Sequence, residues 1–394
     1  MLLLIFKILF GLSVLAIIHP YTIYPIFLFL KTRRKKTDFC SYKATDKLPF
    51  VSIIMAAHNE EQVLEKKIHS ILANQYPENL YEIIIGSDAS TDGTNQILEG
   101  FEAKKSNFRF VKFAKRTGKI NIVNTLVNKA AGDILLLSDA DIMFAENTIF
   151  ELIKYFKENK IGLVDSNLQK KIKRNSGIAA QEKFYINYEL LIKNKEGLAN
   201  GYMMGPFGGA YAIRKELFSK VPGNFLVDDF YINMKVIESG NWCINNFSAI
   251  VFDNSSDNIQ DEFKRKIRIS TGNFQNLKHF RHILFSKNHS LAFYFLSHKV
   301  IRWFAPLFII TLFISTVFLS QTAIFYSYFG VLLFFSLIIP FIDYFLRENE
   351  IHIILLRFIS HYYYMNLGLL IGLFKYIKGV NTNVWKPTKR ESKS

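Results

Sequence analysis

The chain has 394 residues, 50% of them hydrophobic and 15% aromatic, with a formal net charge of +16. Its two cysteines, Cys40 and Cys243, lie far apart without a C-x-x-C or histidine pattern, which excludes a disulfide framework and a zinc site. The positive charge does not point to nucleic acid: many basic residues sit beside apolar windows, where anionic lipid headgroups account for them, and no stripe of basic and aromatic residues runs through 37–290.

Apolar residues crowd into 1–30 and 303–374, while 37–290 has the mixed composition of a soluble domain. About 20 apolar residues span a bilayer core. The first window, Met1–Leu30, is closed by Lys31, Arg33, Arg34, Lys35 and Lys36. A signal peptide would carry its charge before the apolar stretch and a small-residue cleavage site after it. The expectation is therefore an uncleaved anchor, with the basic run and 37–290 in the cytosol.

From Phe50 to Glu61, FVSIIMAAHNEE reads as an apolar strand ending in polar residues. Val63, Leu64, Ile68, Ile71 and Leu72 then recur at helical spacing. YEIIIGSD, residues 81–88, is a second strand ending in an acid, followed by turn residues and a helix over Thr94–Phe101. Phe108–Phe113 is a third strand, Lys119–Ala131 a helix, and ILLL at 134–137 a fourth strand running into Ser138, Asp139, Ala140 and Asp141. Strands alternating with helices predict an α/β sheet whose ligands bind beyond the carboxyl ends of the strands. Glu60, Asp88, Asp139 and Asp141 all fall at such ends. No phosphate-binding loop is present: Thr117, Gly118 and Lys119 resemble the end of one, but Phe113 and Ile120 break the pattern. A diphosphate here would need a metal, and two carboxylates one residue apart on a turn suit a divalent cation. His58 reads as polar lining rather than as a metal ligand. Phe230–Gly240 is helical, which gives Asp228 and Asp229 a second reading as acids at a helix start.

The C-terminal windows Trp303–Ser320, Thr322–Phe341 and Ile351–Tyr376 predict about three spans within 303–376 of a multi-pass cell-membrane protein. The last carries Arg357 and His361, and a charge there has to face other helices or snorkel. Trp303 reads as an interface anchor. Four spans from an outside N-terminus end outside, yet Lys386, Lys389, Arg390 and Lys393 in the 377–394 tail argue for the inside. Either a span is missing or one window lies along the membrane surface.

Taken in order, VSIIMAAHNEE, SDASTDGT, TGKINIVN, LLLSDADI, GPFGGAYAIRKEL and VDDFYINMKVIESG resemble family 2 glycosyltransferases, over about residues 48–280. The resemblance is closest to the membrane-embedded branch that includes cellulose, hyaluronan and poly-N-acetylglucosamine synthases. It implies a GT-A fold, a nucleotide-sugar donor (a UDP-sugar in first place) and a divalent cation, Mn²⁺ or Mg²⁺. Carried over by motif, Ala57 and Glu60 would line the nucleoside, Asp88 would bond the base, and Lys119 would sit near the nucleotide. Asp139 and Asp141 form the D-x-D, with Asp141 the direct metal ligand. Gly208 and Gly209 would floor the sugar and acceptor pocket, and Asp228 and Asp229 stand where the second acid of the pair is general base. The Q-x-x-R-W motif of processive members is altered: Arg265 takes the Gln position, Arg268 the Arg, and Ile269 the Trp. Arg268 still suits a diphosphate oxygen, while Ile269 offers no aromatic face to a glycan, so transfer of one sugar to a lipid-linked or short acceptor competes with polymer synthesis.

The expected activity is inverting transfer of a sugar to a glycan or lipid-linked acceptor in cell-surface polysaccharide or glycoconjugate synthesis, with membrane lipids and polysaccharide export or assembly subunits as partners. The alternative is a non-catalytic GT-A membrane accessory protein, against which the intact Asp88, Asp139, Asp141 and Asp229 argue.

Overall fold

A computed structural model describes residues 1–35, 39–170, 177–253, 259–349, 351 and 353–380. The chain forms two compact units. The first gathers Met1–Lys31, Lys173–Tyr185 and Asp257–Gly379; the second gathers Thr32–Ile172, Ile186–Ser256 and Val380–Ser394.

Helices α1 (Leu2–Ile18) and α2 (Tyr24–Thr32) run together through a π-helical stretch at His19–Ile23. The second unit follows as β1 (Val51–Ala57), α3 (Glu61–Leu72), β2 (Tyr81–Asp88), α4 (Thr94–Glu102), β3 (Phe108–Phe113), α5 (Lys119–Val127) and β4 (Ile134–Ser138). It continues with β5 (Ile142–Phe144), α6 (Thr148–Ile153), β6 (Ile161–Lys170), α7 (Gly177–Asn200, of which the part from Ile186 belongs to this unit), β7 (Ala210–Arg214), α8 (Asp228–Glu238) and β8 (Trp242–Asp253). The eight strands make one sheet in the order β3-β2-β1-β4-β7-β6-β8-β5. From β3 to β4 all pairs are parallel. β7 then enters antiparallel between β4 and β6.

Burial explains the parallel half. Every residue of β2 and β4 is buried, as strands covered on both faces require. Val51, Ile53, Met55, Ile83, Ile85 and Leu136 are each 0% exposed and pack with Leu64, Ile68 and Leu98 from the helices. Gly86 in β2 lets α5 come close, since a Cβ there would run into Ile122.

The first unit is completed by α9 (Ile259–Phe280), α10 (His289–Phe295), α11 (Ile301–Trp303), α12 (Ala305–Leu319), α13 (Ile324–Glu348) and α14 (Ile354–Lys378). α1 packs on α12, and Phe6 stacks on Phe318 with ring centroids 4.2 Å apart. Among the described residues, two helices are long and apolar enough to cross a membrane, Leu2–Thr32 and Ile324–Glu348. A third span arises if the pair His289–Trp303 and Ala305–Leu319, bent by 64°, counts as one. The window at 351–376 forms α14, but α14 is not among them; it carries Arg357, His361, Asn366 and Lys375 and packs on α9 and α13. Arg357 is 3% exposed, and its Nε lies 2.8 Å from Oδ1 of Asp343 on α13, so the charge is met inside the unit. Trp303 is 5% exposed and packs edge-on to Phe295, an interior position rather than an interface one. The tail from residue 381, with its basic residues, lies outside the described residues.

Candidate active site

The carboxyl ends of the parallel strands open onto the site. After β1 and β2 the chain turns through two residues with positive φ, Asn59 (54°) and Ala89 (51°), conformations that side-chain-bearing residues rarely adopt and that cluster at functional sites. Asn59 ties the two turns together: its Oδ1 accepts from the Thr91 N–H at 2.9 Å. His58 Nδ1 lies 2.8 Å from the Asp88 carbonyl. Ala57 is buried at the end of β1, and the Glu60 N–H donates to Thr94 Oγ1 at 2.8 Å.

Asp88, at the tip of β2, is 3% exposed. Its Oδ1 accepts from the Thr117 N–H at 2.6 Å, its Oδ2 from the Gly118 N–H at 3.0 Å, and Arg116 Nε is 3.2 Å from Oδ2. The carboxylate thus organises the 116–118 loop, and Gly118, at φ 84°, hands the chain to α5. Lys119 is the first residue of that helix, and its ammonium lies 2.6 Å from Asp139 Oδ1 and 3.9 Å from Asp228 Oδ2. Burial opposes the charge on Lys119, but Asp139, Asp228 and Asp229 outweigh it and raise its proton affinity well above that of an ordinary lysine.

The antiparallel register of β4 and β7 pairs Ser138 with Ala210 and brings Gly209 beside Asp139, whose N–H donates to the Gly209 carbonyl at 3.0 Å. Gly208, at φ 81°, is required twice over: its backbone is left-handed, and a Cβ would collide with Asp229 Oδ2. Asp228 and Asp229 open α8, where the helix dipole favours negative charge. Burial, followed by repulsion from Asp228, pushes the Asp229 carboxyl up to about 6, against the pull of Lys119 and Lys193.

The structure therefore gathers Lys119, Asp139, Gly208, Gly209, Asp228 and Asp229 at one strand edge, with Asp88 tied to Lys119 through the Thr117 and Gly118 backbone. Arg265 and Arg268 lie on α9 of the first unit, where Arg265 NH1 is 3.5 Å from Glu262. Several buried charges escaped the sequence reading, and three of them bear on the site. Lys67 on α3 is 0% exposed; it donates to Ser138 Oγ at 2.8 Å and to the Ile142 carbonyl, and lies 3.6 Å from the Phe144 ring centroid, so it braces the D-x-D turn from below. Burial draws its proton affinity well down, while Asp141 and Asp139 favour the charged form. Asp165 and Lys193 are the other two. A lysine inside an apolar helical face was the one legible signal, and it was legible only for Lys67.

Among the described residues no three His, Cys, Asp or Glu side chains gather into a protein-only metal cage. Two hard carboxylates on a turn instead suit a divalent ion that keeps water and substrate phosphate among its ligands. On this turn Asp139 is paired with the Lys119 ammonium.

A mixed α/β sheet with acids gathered beyond the ends of its parallel strands defines a nucleotide-binding type of domain, and the fold is GT-A. Residues 52–221 match the Glycosyl transferase family 2 model, so this segment is a glycosyltransferase family 2 domain. It is 28% identical over 193 residues to a poly-β-1,6-N-acetyl-D-glucosamine synthase of Staphylococcus epidermidis, covering 47% of this chain and 45% of that protein. It is 32% identical over 119 residues to a β-monoglucosyldiacylglycerol synthase of Nostoc, covering 30% and 25%. The match thus spans less than half the length of these curated relatives. The mannosyltransferase PcManGT of Pyrobaculum calidifontis, solved with GDP-Man and Mn²⁺, superposes with a TM-score of 0.67 at 16% identity over 94% of this chain and 99% of that one. That likeness is one of fold.

Proposed function

We propose that the chain is a membrane-bound inverting glycosyltransferase that moves a sugar from a nucleotide-sugar to a glycan or lipid-linked acceptor at the cytosolic membrane face. The observation that carries it is the meeting of the Asp139 turn, Lys119 and the Asp228–Asp229 pair at one strand edge, with Gly208 pressed against Asp229. The acceptor hydroxyl must lose its proton as it attacks the anomeric carbon, and Asp229 is the base. At about 6 its carboxyl is ionised at neutral pH yet more basic than an ordinary aspartate. Asp228 supports it electrostatically. Asp141 and Asp139 would hold the divalent cation, which supplies charge stabilisation for the leaving diphosphate. Lys119, paired here with Asp139, would meet the same negative charge once released from it. Asp88 acts on the nucleotide side by fixing the 116–118 loop, beside Ala57 and Glu60. Arg265 and Arg268 enter on their motif alone, and Ile269 beside them favours single transfer over polymer growth.

Counting the bent helix pair as one span gives three spans in all. Three spans from an outside N-terminus place both the basic run after α2 and the basic C-terminal tail inside, with α14 along the inner surface. This reconciles the charge bias that four spans could not. Protease added to intact cells should leave residues 37–290 uncut.

The test of the reaction is a panel of radiolabelled nucleotide sugars offered to the full-length protein in detergent or nanodiscs with Mn²⁺ or Mg²⁺. One donor should yield a labelled acceptor in membranes and lose that transfer in excess EDTA. No transfer and no hydrolysis from any donor would favour the accessory-protein reading.

A further inference from the structure

The second unit contains a buried charge network that the proposed chemistry does not use directly. Asp165 lies mid-strand in β6, paired in register with Tyr211 of β7 and Asn245 of β8, and is 0% exposed. Lys193 on α7 is 3% exposed, with its ammonium 3.9 Å from Asp165 Oδ2 and 3.6 Å from the Phe207 ring centroid. Lysine and aspartate are almost never buried to this degree unless paired. The loop they grip is the one that leads to Gly208. The Phe207 N–H donates to Asp165 Oδ2 at 3.2 Å. The Met204 N–H donates to Glu196 Oε2 at 2.9 Å, and Asn233 Nδ2 to the Met203 carbonyl at 2.9 Å. Every one of these contacts ends on 203–207, one residue before the glycine that abuts Asp229.

We propose that Asp165 and Lys193 are positioning residues, which seat the 203–209 loop under Asp229 and set the charge balance around that carboxylate; the proposal rests on the glycosyl-transfer reading.

A loop could be held more cheaply. Replacing a buried ion pair by apolar side chains of similar volume is often neutral or stabilising, so the pair is a poor device for stability alone. Its charges face the base. Asp229 is met by Asp228 on its own helix, Lys119 from α5, Lys193 from α7, and Asp165 and Tyr211 from β6 and β7. Lys193 is met by Asp165, Glu189, Glu196 and Asp229. Burial, followed by the opposing pull of Lys193 and the Phe207 N–H and then repulsion from Asp229, leaves the Asp165 carboxyl at about 7. One ammonium thus stands among four carboxylates, and its removal would leave Lys119 as the remaining positive group facing Asp229 and its negative neighbours. Asp165 Oδ1 has no hydrogen-bond partner among the described residues, so its charge is stabilised chiefly from the Lys193 side.

The test is the pH profile of single-turnover transfer, with donor binding measured alongside, for wild type, Lys193→Met, Lys193→Arg and Asp165→Asn in the full-length protein. Lys193→Met removes a positive neighbour of Asp229, so the acid limb should move up by roughly one pH unit. Asp165→Asn removes a neighbour whose carboxyl, at about 7, is only partly ionised across the limb, so the limb should move down by a smaller step than Lys193→Met moves it up. Lys193→Arg should keep it in place, and donor affinity should stay within about twofold in all three, as for a change outside the donor contacts. A limb that stays put in both charge-removing variants, or moves the same way in both, overturns the proposal. If Lys193→Met does not fold, the limb of Asp165→Asn alone decides. A wild type that transfers sugar normally beside unmoved variants overturns this inference only; a wild type silent with every donor overturns the glycosyl-transfer reading and takes the inference with it.

Discussion

The two halves of the sheet place their charges differently. In the parallel half, β1 to β4, the strand interiors are largely apolar, with Ser52 and Glu82 paired near the strand starts, and the site's acids, Asp88 and Asp139, sit at or just past the strand ends. In the mixed half, Asp165 and Ser166 are 0% exposed inside β6, and Asn245 and Asn246 are 5% and 6% exposed inside β8. A platform of the first kind keeps its shape when a site residue changes, because the site stands on loops over a dry core. In the second kind the polar groups are part of the packing, so a change in charge reaches both stability and chemistry. Asp88 and Asp139 rise from the first half, and Gly208, which abuts Asp229, leads into the second.

Substitutions sort along that division. The largest effect belongs to the D-x-D turn: Asp141→Ala should abolish turnover and weaken nucleotide binding in metal-containing buffer without lowering the melting temperature. Wild-type turnover by this variant would detach the turn from the chemistry. Next is Gly208→Ala, which places a Cβ against Asp229 and strains a left-handed backbone. Misplacing the base should lower single-turnover transfer on the order of 10²-fold, with about 1–2 kcal/mol of stability lost to the backbone; stopped-flow transfer and thermal melts separate the two. Glu82→Gln addresses a buried acid of the parallel half, where Oε1 accepts from Ser52 Oγ and the Ala131 N–H, each at 2.6 Å, and Arg109 also pairs with the side chain. Roughly 1–3 kcal/mol of stability should be lost with the pH profile of transfer unmoved, the reverse of the outcome expected for Asp165→Asn. The smallest effect is at the exposed pair Lys105–Glu78, 2.8 Å apart, where Glu78→Ala should change stability by about 0–1 kcal/mol and transfer not at all.

The same division governs what the sequence made legible. Strands β1, β2 and β4 announce themselves as short apolar runs ending in polar residues; their alternation with helices gives an α/β sheet, and the resemblance carried by six ordered motifs implies the GT-A fold. The mixed half gives no such signal. GLVDSNLQ and WCINNFSA interrupt their apolar residues with Asp165, Asn245 and Asn246, so neither alternation nor a continuous run marks them as strands. Only pairing with β7 and β8 shows why those polar groups are tolerated. Gly208, Asp228 and Asp229 were readable as motif residues, but the close approach of Gly208 to the Asp229 carboxylate depends on how α8 meets the loop, which no local pattern encodes. Lys193 was hidden among Lys195, Glu189 and Glu196, a run that reads as the solvated face of a helix.

The central claim is that Asp229 is the base of an inverting transfer. Single-turnover transfer by Asp229→Asn and Asp228→Asn, with nucleotide-binding measurements on both, tests it most directly. Asp229→Asn keeps the shape of the side chain but cannot take a proton, so transfer should fall by about 10²–10⁴-fold while donor affinity holds; Asp228→Asn should be milder. An inactive Asp228→Asn beside a fully active Asp229→Asn would reverse the assignment, and wild-type transfer by both would leave the Asp228–Asp229 pair as nothing more than the start of a helix.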